Sequence, residues 1–374
     1  MKMLVILNSL GIGGAENYTI SLLNQFIKQR NKIILYVLSN DLKLADRYYK
    51  YKDIKICRRM RKVDFNIIKM IRAEIKNGNY DVIISSYPLY ITISTIFLKF
   101  KTLVLYPLHS TEILKNKYFI VNCILFRIKR KNEKYITTID NQTKFLEKKY
   151  YLKDNYFSQI YNGVDTKKFY IVPQEFHKNN FLKKIGVDPR HRIILMVAGY
   201  RDEKRHIDAI KAFEDLQNEI NNVTLICVGN DNYRKRNELQ CEINLKKIKN
   251  ILLFTSSEVQ LLANSVLKFY WISDIFTLTS NKVETFSIAS LEAMACGIPC
   301  VLTNIGGAKN YIKPNINGRL CKPNNIKSIK NEWLSVLNNP DKYDKYVIRK
   351  IIIENYSIEK SAFKYLKLMK ENIL

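Results

Sequence analysis

Short runs of apolar residues alternate along the chain with helical patterns such as residues 206–218. This alternation is typical of parallel β-sheets that are covered by helices on both faces. Strands are predicted in two sets, at residues 3–7, 32–38, 81–85, 102–106 and 134–138, and at residues 192–198, 223–228, 251–254, 275–279 and 299–303. The architecture therefore occurs twice, without a repeat of the sequence itself, and it predicts an α/β protein.

The length of 374 residues leaves room for two domains, each with a core of its own. A polar segment at residues 167–190 separates the two sets of predicted strands. We predict an N-terminal domain at residues 1–170 and a C-terminal domain at residues 185–355, with a boundary that is placed to within about ten residues.

The most informative pattern is a pair of glutamates, Glu284 and Glu292, with seven residues between them. If a helix joins them, both carboxylates can face the same crevice. The backbone amides of Phe286, Ser287 and Ile288 then lie in the first helical turn, where a diphosphate would be stabilised. A solvated helix followed by a core strand explains the spacing equally well.

A second pattern lies at the turn after the first predicted strand. Residues 8–16 contain Gly11, Gly13, Gly14 and Glu16 ahead of a predicted helix. Glycines let the backbone approach a ligand closely, and the helix N-terminus behind them favours negative charge. Because Glu16 occupies the third glycine position, the turn is not a full dinucleotide-binding fingerprint.

Two further candidates follow predicted strands. His109 comes after the strand at residues 102–106, at the edge where open parallel sheets place ligand groups, although a lone histidine there is commonly structural. Arg201 and Lys204 lie on a strand-to-helix turn, where cations can hold phosphates; a solvated run of charges is the alternative. The other histidines stand in polar stretches and are predicted to be solvated: His177, His191 and His206.

The charge of the chain is strongly unbalanced, with 62 Lys and Arg residues against 34 Asp and Glu residues and a net charge of +28. This balance favours an anionic partner, which can be a phosphate-rich substrate, an acidic membrane surface or a nucleic acid. Charge alone does not choose among them. Basic residues are interleaved with aromatic and aliphatic residues at 43–76 and 115–153, a pattern that fits a lipid-linked acceptor at an anionic membrane; a solvated basic surface is the alternative.

The seven cysteines form no C-x-x-C pair and no close cluster with histidine, so zinc sites and disulfides are not predicted. Free thiols in a reducing cytosol fit better. The apolar run at the N-terminus is too short for a signal peptide. The uncharged segment at residues 82–98 is predicted to be a buried strand and helix and not a membrane span.

Residues 284–307 resemble the E-x7-E signature of glycosyltransferase family 4, the retaining nucleotide-sugar enzymes of GT-B architecture. Both glutamates and the aromatic Phe286 match, as do Glu-Ala-Met-Ala, Gly-Ile-Pro and Gly-Gly at residues 292–295, 297–299 and 306–307. Thr285 and Ser287 replace two glycines that are usual there. Gly-Gly-Ala-Glu in the first turn and a histidine at the position of His109 are also usual in the family. The resemblance covers essentially the whole chain.

What the resemblance implies is a pair of Rossmann-like domains facing across a cleft, with a last helix at residues 356–374 that returns to the first domain. The donor side would consist of Glu292 on the ribose hydroxyls, Lys204 and the amides of Phe286, Ser287 and Ile288 on the diphosphate, and Glu284 on the sugar hydroxyls. Gly13 and Gly14 would face the diphosphate and the acceptor, and His109 the transferring sugar.

The sequence departs from the family pattern at three places. Tyr200 stands where an arginine is usual, so Arg201 is a candidate replacement. A glycine usual after the third strand of the second domain is missing from residues 253–256, and the acid usual after the Gly-Gly pair is replaced around Lys309. These departures leave the identity of the sugar nucleotide open.

The resemblance implies transfer of a hexosyl residue from a UDP- or GDP-sugar to a glycan or lipid-linked acceptor, with retention at the anomeric carbon. The expected setting is surface-polysaccharide synthesis, such as lipopolysaccharide or capsule, in the cytoplasm or at the inner face of the plasma membrane. No metal, other cofactor or nucleic acid is expected to take part. The alternatives are a GT-B enzyme of another kind, such as a sugar-nucleotide epimerase, a catalytically silent GT-B subunit, and a nucleic-acid binder, for which no binding motif is present.

Overall fold

The computed structural model describes residues 1–11, 13–41, 44, 54–60, 64–99, 101–108, 119–230, 232–282 and 284–373. His109 lies outside these described residues. The chain divides into two compact units. Unit 1 consists of Met1–Gly163 and Ile358–Leu374, and unit 2 consists of Val164–Ser357.

The described part of unit 1 contains a seven-stranded parallel sheet with the order β3-β2-β1-β4-β5-β6-β7. This order is that of a doubly wound Rossmann sheet, in which the chain starts at the centre, winds outward, and then crosses to the other half. The strands are β1 (Lys2–Leu7), β2 (Lys32–Val37), β3 (Ile54–Ile56), β4 (Val82–Ser85), β5 (Leu103–Pro107), β6 (Glu133–Thr137) and β7 (Ser158–Gln159).

Helices cover this sheet, and its central strands are buried on both faces because they consist of continuous apolar runs. Residues Met3 to Ile6 of β1 and Leu103 to Tyr106 of β5 have no solvent exposure. The helices described in unit 1 are Gly14–Lys28, Phe65–Gly78, Pro88–Thr95, Phe119–Arg127, Asp140–Tyr150 and Ile358–Asn372. None of the helices in the described part of the chain combines the length and the apolar content that crossing a lipid bilayer requires.

The C-terminal helix Ile358–Asn372 packs into unit 1. The hydroxyls of Tyr18 and Ser361 share a hydrogen bond of 2.6 Å, and the Ser361 hydroxyl also donates to the carbonyl of Tyr161 at 3.0 Å. The rings of Phe26 and Tyr365 meet edge to face with centroids 6.2 Å apart. Residues from both ends of the chain therefore build one core.

Unit 2 repeats the same winding. Its six-stranded parallel sheet has the order β10-β9-β8-β11-β12-β13. The strands are β8 (Arg192–Val197), β9 (Val223–Gly229), β10 (Ile251–Thr255), β11 (Ile275–Leu278), β12 (Cys300–Thr303) and β13 (Gly318–Cys321). The helices described in unit 2 are Lys178–Lys184, His206–Gln217, Tyr233–Leu245, Ser256–Ala263, Leu267–Ile272, Ile288–Ala295, Ala308–Tyr311, Ile326–Leu337 and Lys345–Tyr356, with 3₁₀ turns at Asp202–Lys204 and Pro340–Lys342.

The boundary between the units lies a few residues before the predicted one, within its margin of about ten residues. We predicted a first domain that ends at residue 170, whereas unit 2 begins at Val164. The reason is that the polar segment after Val164 is held by unit 2. The Arg349 guanidinium donates to the carbonyls of Thr166 and Phe169 at 2.8 and 2.7 Å, and the Trp271 indole donates to the Tyr170 carbonyl at 2.9 Å.

Candidate functional site

The site in unit 2 lies at the point where the winding of the sheet reverses. β8 and β11 are neighbours in the sheet but are separate along the chain, so the connections that follow them leave toward opposite faces. Open α/β sheets bind ligands in the crevice at the carboxyl ends of such strands. The loop after β8 contains the Asp202–Lys204 turn, and the loop after β11 contains Glu284.

Hydrogen bonds join these two loops directly. The Thr279 hydroxyl, just after β11, lies 2.9 Å from the carbonyl of Arg205 and 3.2 Å from that of Lys204. The amide of Asn281 donates to the carbonyl of Glu203 at 3.2 Å. Because the backbones are tied together, the side chains that the loops carry are held at a fixed spacing.

Lys204 and Glu284 form the charged centre of the site. The Lys204 ammonium donates to Oε2 of Glu284 at 2.6 Å, and the Ser280 hydroxyl donates to the same oxygen at 3.2 Å. The side chains are only 13% and 15% exposed, so water screens the pair incompletely. The arrangement offers a cation for an anionic group and a carboxylate for hydroxyl groups, side by side.

The Gly-Gly pair at residues 306–307 supports the backbone of Glu284. A Cβ added to Gly306 would lie 1.6 Å from the Glu284 carbonyl oxygen, and Gly306 has a φ of +54°. The amide of Gly307 donates to the carbonyl of Thr285 at 2.9 Å. Only glycine permits this close approach in a left-handed conformation, so the pair positions the loop that carries Glu284.

The helix between the two glutamates is shorter than the sequence analysis predicted. We expected the amides of Phe286, Ser287 and Ile288 in its first turn, but Ser287 is the N-cap and the helix runs over Ile288–Ala295. The Ser287 hydroxyl accepts from the amide of Ser290 at 3.2 Å, because serine at an N-cap favours helix initiation at the next residue. Of the three predicted amides, only that of Ile288 therefore belongs to the helix.

The side chain of Phe286 belongs to the core of unit 2. It is 3% exposed, and its ring packs against the rings of Tyr311 and Tyr356 with centroids 5.0 and 5.6 Å away. Its contribution to a bound ligand is therefore limited to its backbone.

Glu292 lies on the helix that begins after Glu284 and is held by a different partner. The Tyr270 hydroxyl donates to Oε2 of Glu292 at 2.7 Å. Burial, followed by the neighbouring Glu292 charge, raises the pKa of Tyr270 well above its usual range, so the phenol stays protonated and donates. The hydrogen bond from Tyr270 thus fixes the orientation of the Glu292 carboxylate.

Tyr200 and Arg201 have separate environments. Tyr200 has no solvent exposure, and its hydroxyl donates to the carbonyl of Phe254 at 2.8 Å, so it is a core residue and not an anion ligand. The side chain of Arg201 is 56% exposed and pairs with Glu203 at 3.3 Å. A guanidinium on this loop is accessible to a ligand.

His206 corrects a prediction of the sequence analysis. We expected a solvated side chain, but His206 is 3% exposed and its ring lies 4.9 Å from that of Tyr200. It is the first residue of helix His206–Gln217, most of whose apolar side chains are buried, and it packs against Tyr200 at the start of the loop that carries Lys204. Burial lowers its pKa to about 4, so it is neutral at physiological pH.

In unit 1, the glycine turn begins a helix at the carboxyl end of β1. Gly13 is the N-cap of Gly14–Lys28, and its carbonyl accepts from the amide of Asn17 at 3.0 Å and from the Asn17 side chain at 2.9 Å. A Cβ on Gly13 would lie 2.2 Å from a carboxylate oxygen of Glu16. A side chain at position 13 would therefore displace the Glu16 carboxylate, whereas the extended backbone of Gly13, with a φ of −158°, does not itself require glycine.

Several residues that organise the site were not singled out from the sequence, namely Tyr270, Thr279 and Ser280. Each acts through a partner that is distant along the chain or through a hydroxyl that has no local pattern. Among the described residues, no group of three or more His, Cys, Asp or Glu side chains is arranged to hold a metal ion. A metal-free reaction remains a prediction.

Comparisons with known families agree with this architecture. The family model described as Glycosyl transferases group 1 matches residues 177–351, and the one described as Glycosyltransferase Family 4 matches residues 12–168. Together they span most of the chain, one on each half. The chain belongs to glycosyltransferase family 4.

Among similar proteins are N-acetyl-alpha-D-glucosaminyl L-malate synthase of Bacillus anthracis and UDP-Gal:alpha-D-GlcNAc-diphosphoundecaprenol alpha-1,3-galactosyltransferase of Escherichia coli. The first is 26% identical over 208 residues, which are 55% of this chain and 51% of the relative. The second is 28% identical over 197 residues, which are 51% and 48%. These matches span about half the length of either relative.

Solved structures are similar over nearly the whole chain. A glycosyltransferase from Rickettsia africae ESF-5 has a TM-score of 0.82 at 23% identity and covers 99% of this chain and 98% of its own. Anabaena HepE in complex with UDP has a TM-score of 0.80 at 17% identity and covers 99% and 100%. At these identities the likeness shows the fold, which is that of GT-B glycosyltransferases with two Rossmann-like units.

Proposed function

We propose that this protein transfers a hexosyl residue from a nucleotide sugar, linked to UDP or GDP, to a glycan or lipid-linked acceptor. The observation that carries the proposal is the Lys204–Glu284 pair at the carboxyl ends of β8 and β11. Its cation and carboxylate suit the two parts of a nucleotide sugar, the diphosphate and the sugar hydroxyls. Membership of a glycosyltransferase family supports the same reaction class.

The donor is assigned to unit 2. Glu292, oriented by Tyr270, accepts from the ribose hydroxyls, and Glu284 accepts from hydroxyls of the sugar. Lys204, Arg201 and the amides of Phe286, Ser287 and Ile288 bind the diphosphate. In unit 1, Gly13 and Gly14 serve the diphosphate and the acceptor, and His109 serves the transferring sugar.

The proposed reaction retains the configuration at the anomeric carbon. The bond from this carbon to the diphosphate oxygen breaks, a bond to the acceptor hydroxyl oxygen forms on the same face, and the hydroxyl proton passes to the departing diphosphate. Negative charge grows on the diphosphate as the bond breaks. Lys204 and the N-terminal end of helix Ile288–Ala295 stabilise that charge, since electrostatic groups that are already in place need little reorganisation during the reaction.

The acceptor side of the proposal draws on unit 1 and on the relatives. The name of the Escherichia coli relative specifies a diphosphoundecaprenol acceptor, and the excess of basic over acidic residues is larger in unit 1 of this chain than in unit 2. We place the protein in the cytoplasm, at the inner face of the plasma membrane, in the synthesis of a surface polysaccharide such as lipopolysaccharide or capsule.

A panel of UDP-, GDP-, ADP- and CMP-linked sugars tests the donor. One member of the panel should raise the melting temperature and release its nucleoside diphosphate slowly in water and faster with acceptor. NMR of the product should show the anomeric configuration of the donor. Conversion of one nucleotide sugar into another would instead identify an epimerase, and a panel without any thermal shift or turnover would refute the proposal.

A further inference from the structure

The helix Phe119–Arg127 packs on unit 1 with only one of its faces. The ring of Phe119 stacks on that of Tyr150 with centroids 5.3 Å apart, and the Asn122 side chain donates to the Tyr150 hydroxyl at 3.0 Å. Phe126 is 3% exposed and packs edge to face against Tyr135. These contacts fix the orientation of the helix, so its opposite face is fixed as well.

The opposite face carries a row of exposed isoleucines. Ile120, Ile124 and Ile128 are 73%, 53% and 52% exposed. They are four positions apart, and the amide of Ile128 donates to the carbonyl of Ile124 at 3.0 Å, which continues the helical turn. Residues at this spacing lie one above the other, so the three side chains form a continuous apolar row.

A second exposed apolar segment lies near the C-terminal end of this helix. The Arg130 guanidinium donates to the carbonyl and the hydroxyl of Thr95 at 3.0 and 2.9 Å, which brings the end of the helix next to Ile96 and Phe97. Phe97 is 92% exposed and has a φ of +61°. A bulky residue adopts this left-handed conformation at a cost, and here the conformation leaves its ring in solvent.

All charged residues within residues 96–101 and 119–132 are basic. They include the exposed residues Lys99, Lys101, Arg127 and Lys131. We call the surface made by these four residues together with Ile120, Ile124, Ile128 and Phe97 the basic apolar face. Its composition differs from an ordinary solvated surface, because exposed apolar side chains alternate with charges of a single sign.

We propose that the basic apolar face binds the surface of an anionic phospholipid bilayer. Isoleucine and phenylalanine side chains can enter the interfacial region, while lysine and arginine reach the lipid phosphates. A second copy of the chain is a poor occupant, since pairing two such faces would bring like charges together. The inference rests on the proposed function in that a lipid-linked acceptor would be presented at the same bilayer.

Two pairs of substitutions test the face through cosedimentation of the full chain with vesicles. Wild-type protein should bind phosphatidylcholine vesicles increasingly as phosphatidylglycerol is added, and less as salt is raised. Ile120→Ser with Ile124→Ser should lower the partition coefficient at least about tenfold. Lys99→Gln with Lys131→Gln should lower it about tenfold on anionic vesicles and flatten its dependence on salt.

Matched controls lie in unit 2. Leu261 is 86% exposed, and the Lys350 side chain is 74% exposed, so Leu261→Ser and Lys350→Gln change comparable surface groups elsewhere. Both should bind vesicles within about twofold of wild type. Circular dichroism of each variant checks that it is folded. We expect every variant to fold, because all the substituted side chains are exposed to solvent.

The outcomes separate this inference from the proposed transferase activity. Loss of vesicle binding in both face variants, with donor hydrolysis in water unchanged, supports the face. Vesicle binding that does not depend on phosphatidylglycerol or salt would overturn the membrane-binding inference. An equal loss of binding in the control variants would do the same, and neither result would affect the transferase proposal. A change of oligomeric state in the face variants, without a change in vesicle binding, overturns it in favour of self-association. Vesicle binding by a protein that processes no nucleotide sugar would support the face and refute the transferase.

Discussion

Replacing Lys204 with methionine removes the cation of the Lys204–Glu284 pair while keeping most of the side-chain length. The Glu284 carboxylate is 15% exposed and, among the described residues, would keep the Ser280 hydroxyl as its side-chain donor. A charge-assisted hydrogen bond contributes about 1.5–3 kcal/mol, and a stranded buried charge costs more. We expect the free energy of unfolding to fall by about 2–3 kcal/mol and the melting temperature by about 4–12 °C.

The same substitution should lower turnover about a hundredfold to a thousandfold, because it removes a charge that stabilises the departing diphosphate. A double variant separates the two effects. Lys204→Met combined with Glu284→Gln removes the stranded charge, so its stability should return to within about 1 kcal/mol of wild type. Its turnover should stay low, since neither proposed catalytic group is present.

Thermal unfolding and product formation at saturating donor measure these two quantities. The matched control is Lys246→Met, which breaks an exposed ion pair of 2.7 Å with Glu214 in the same unit. Because water screens an exposed pair, this variant should change neither stability nor turnover appreciably. Turnover of Lys204→Met within about threefold of wild type would refute the catalytic assignment. Recovery of turnover together with stability in the double variant would show that the pair is purely structural.

Three further predictions concern the same unit. Glu292→Gln should weaken donor affinity at least about tenfold in a binding titration, because a neutral amide accepts more weakly from ribose hydroxyls. The His206 pKa of about 4 lies below the ordinary value of 6.5, so as the pH falls this histidine is protonated in the unfolded state before it is protonated in the folded state. Stability should therefore be complete above pH 6.5 and fall by about 3 kcal/mol toward pH 4, a loss that His206→Gln should abolish in urea titrations. Gly306→Ala should destabilise unit 2 by more than about 2 kcal/mol, because its Cβ would overlap the Glu284 carbonyl.

Each of these has a comparison that can contradict it. Tyr270→Phe keeps the Glu292 carboxylate and loses only its orienting donor, so it should weaken donor affinity less than Glu292→Gln. An equal acid-induced loss of stability in wild type and His206→Gln would remove the assignment to this histidine. Gly186 also has a positive φ, of +76°, but nothing lies within 4 Å of its added Cβ. Gly186→Ala should cost only about 1 kcal/mol, and an equal cost for Gly306→Ala would rule out the steric argument.

The long strands could be predicted because a parallel sheet leaves a local signal. Every strand predicted from the sequence is present within one residue at either end. β3, β7 and β13 were not predicted, and each lies at the edge of its sheet. An edge strand is buried less completely, so Ile-Lys-Ile, Ser-Gln and Gly-Arg-Leu-Cys carry no continuous apolar run.

The candidate site could be predicted only in part. Glu284 and Lys204 are eighty positions apart, and their contact follows from the pairing of β8 with β11, which no local pattern contains. The resemblance to a family supplied that link. His206 was misjudged because its neighbours along the chain are charged, whereas its environment is set by the inward face of its helix. The role of Tyr270 is likewise visible only once Glu292 is placed beside it.

The assembly of unit 1 from two distant parts of the chain affects how the protein can fold during translation. Domains usually fold as they leave the ribosome, starting with the N-terminal one. Here the bonds of Ser361 to Tyr18 and to Tyr161 cannot form until the whole of unit 2 has been synthesised. The part of helix Gly14–Lys28 that packs against the C-terminal helix, including Tyr18 and Phe26, therefore stays exposed while later residues are added. We therefore expect chaperones to bind unit 1 during translation. We also expect unit 2 to become resistant to proteases before unit 1 does.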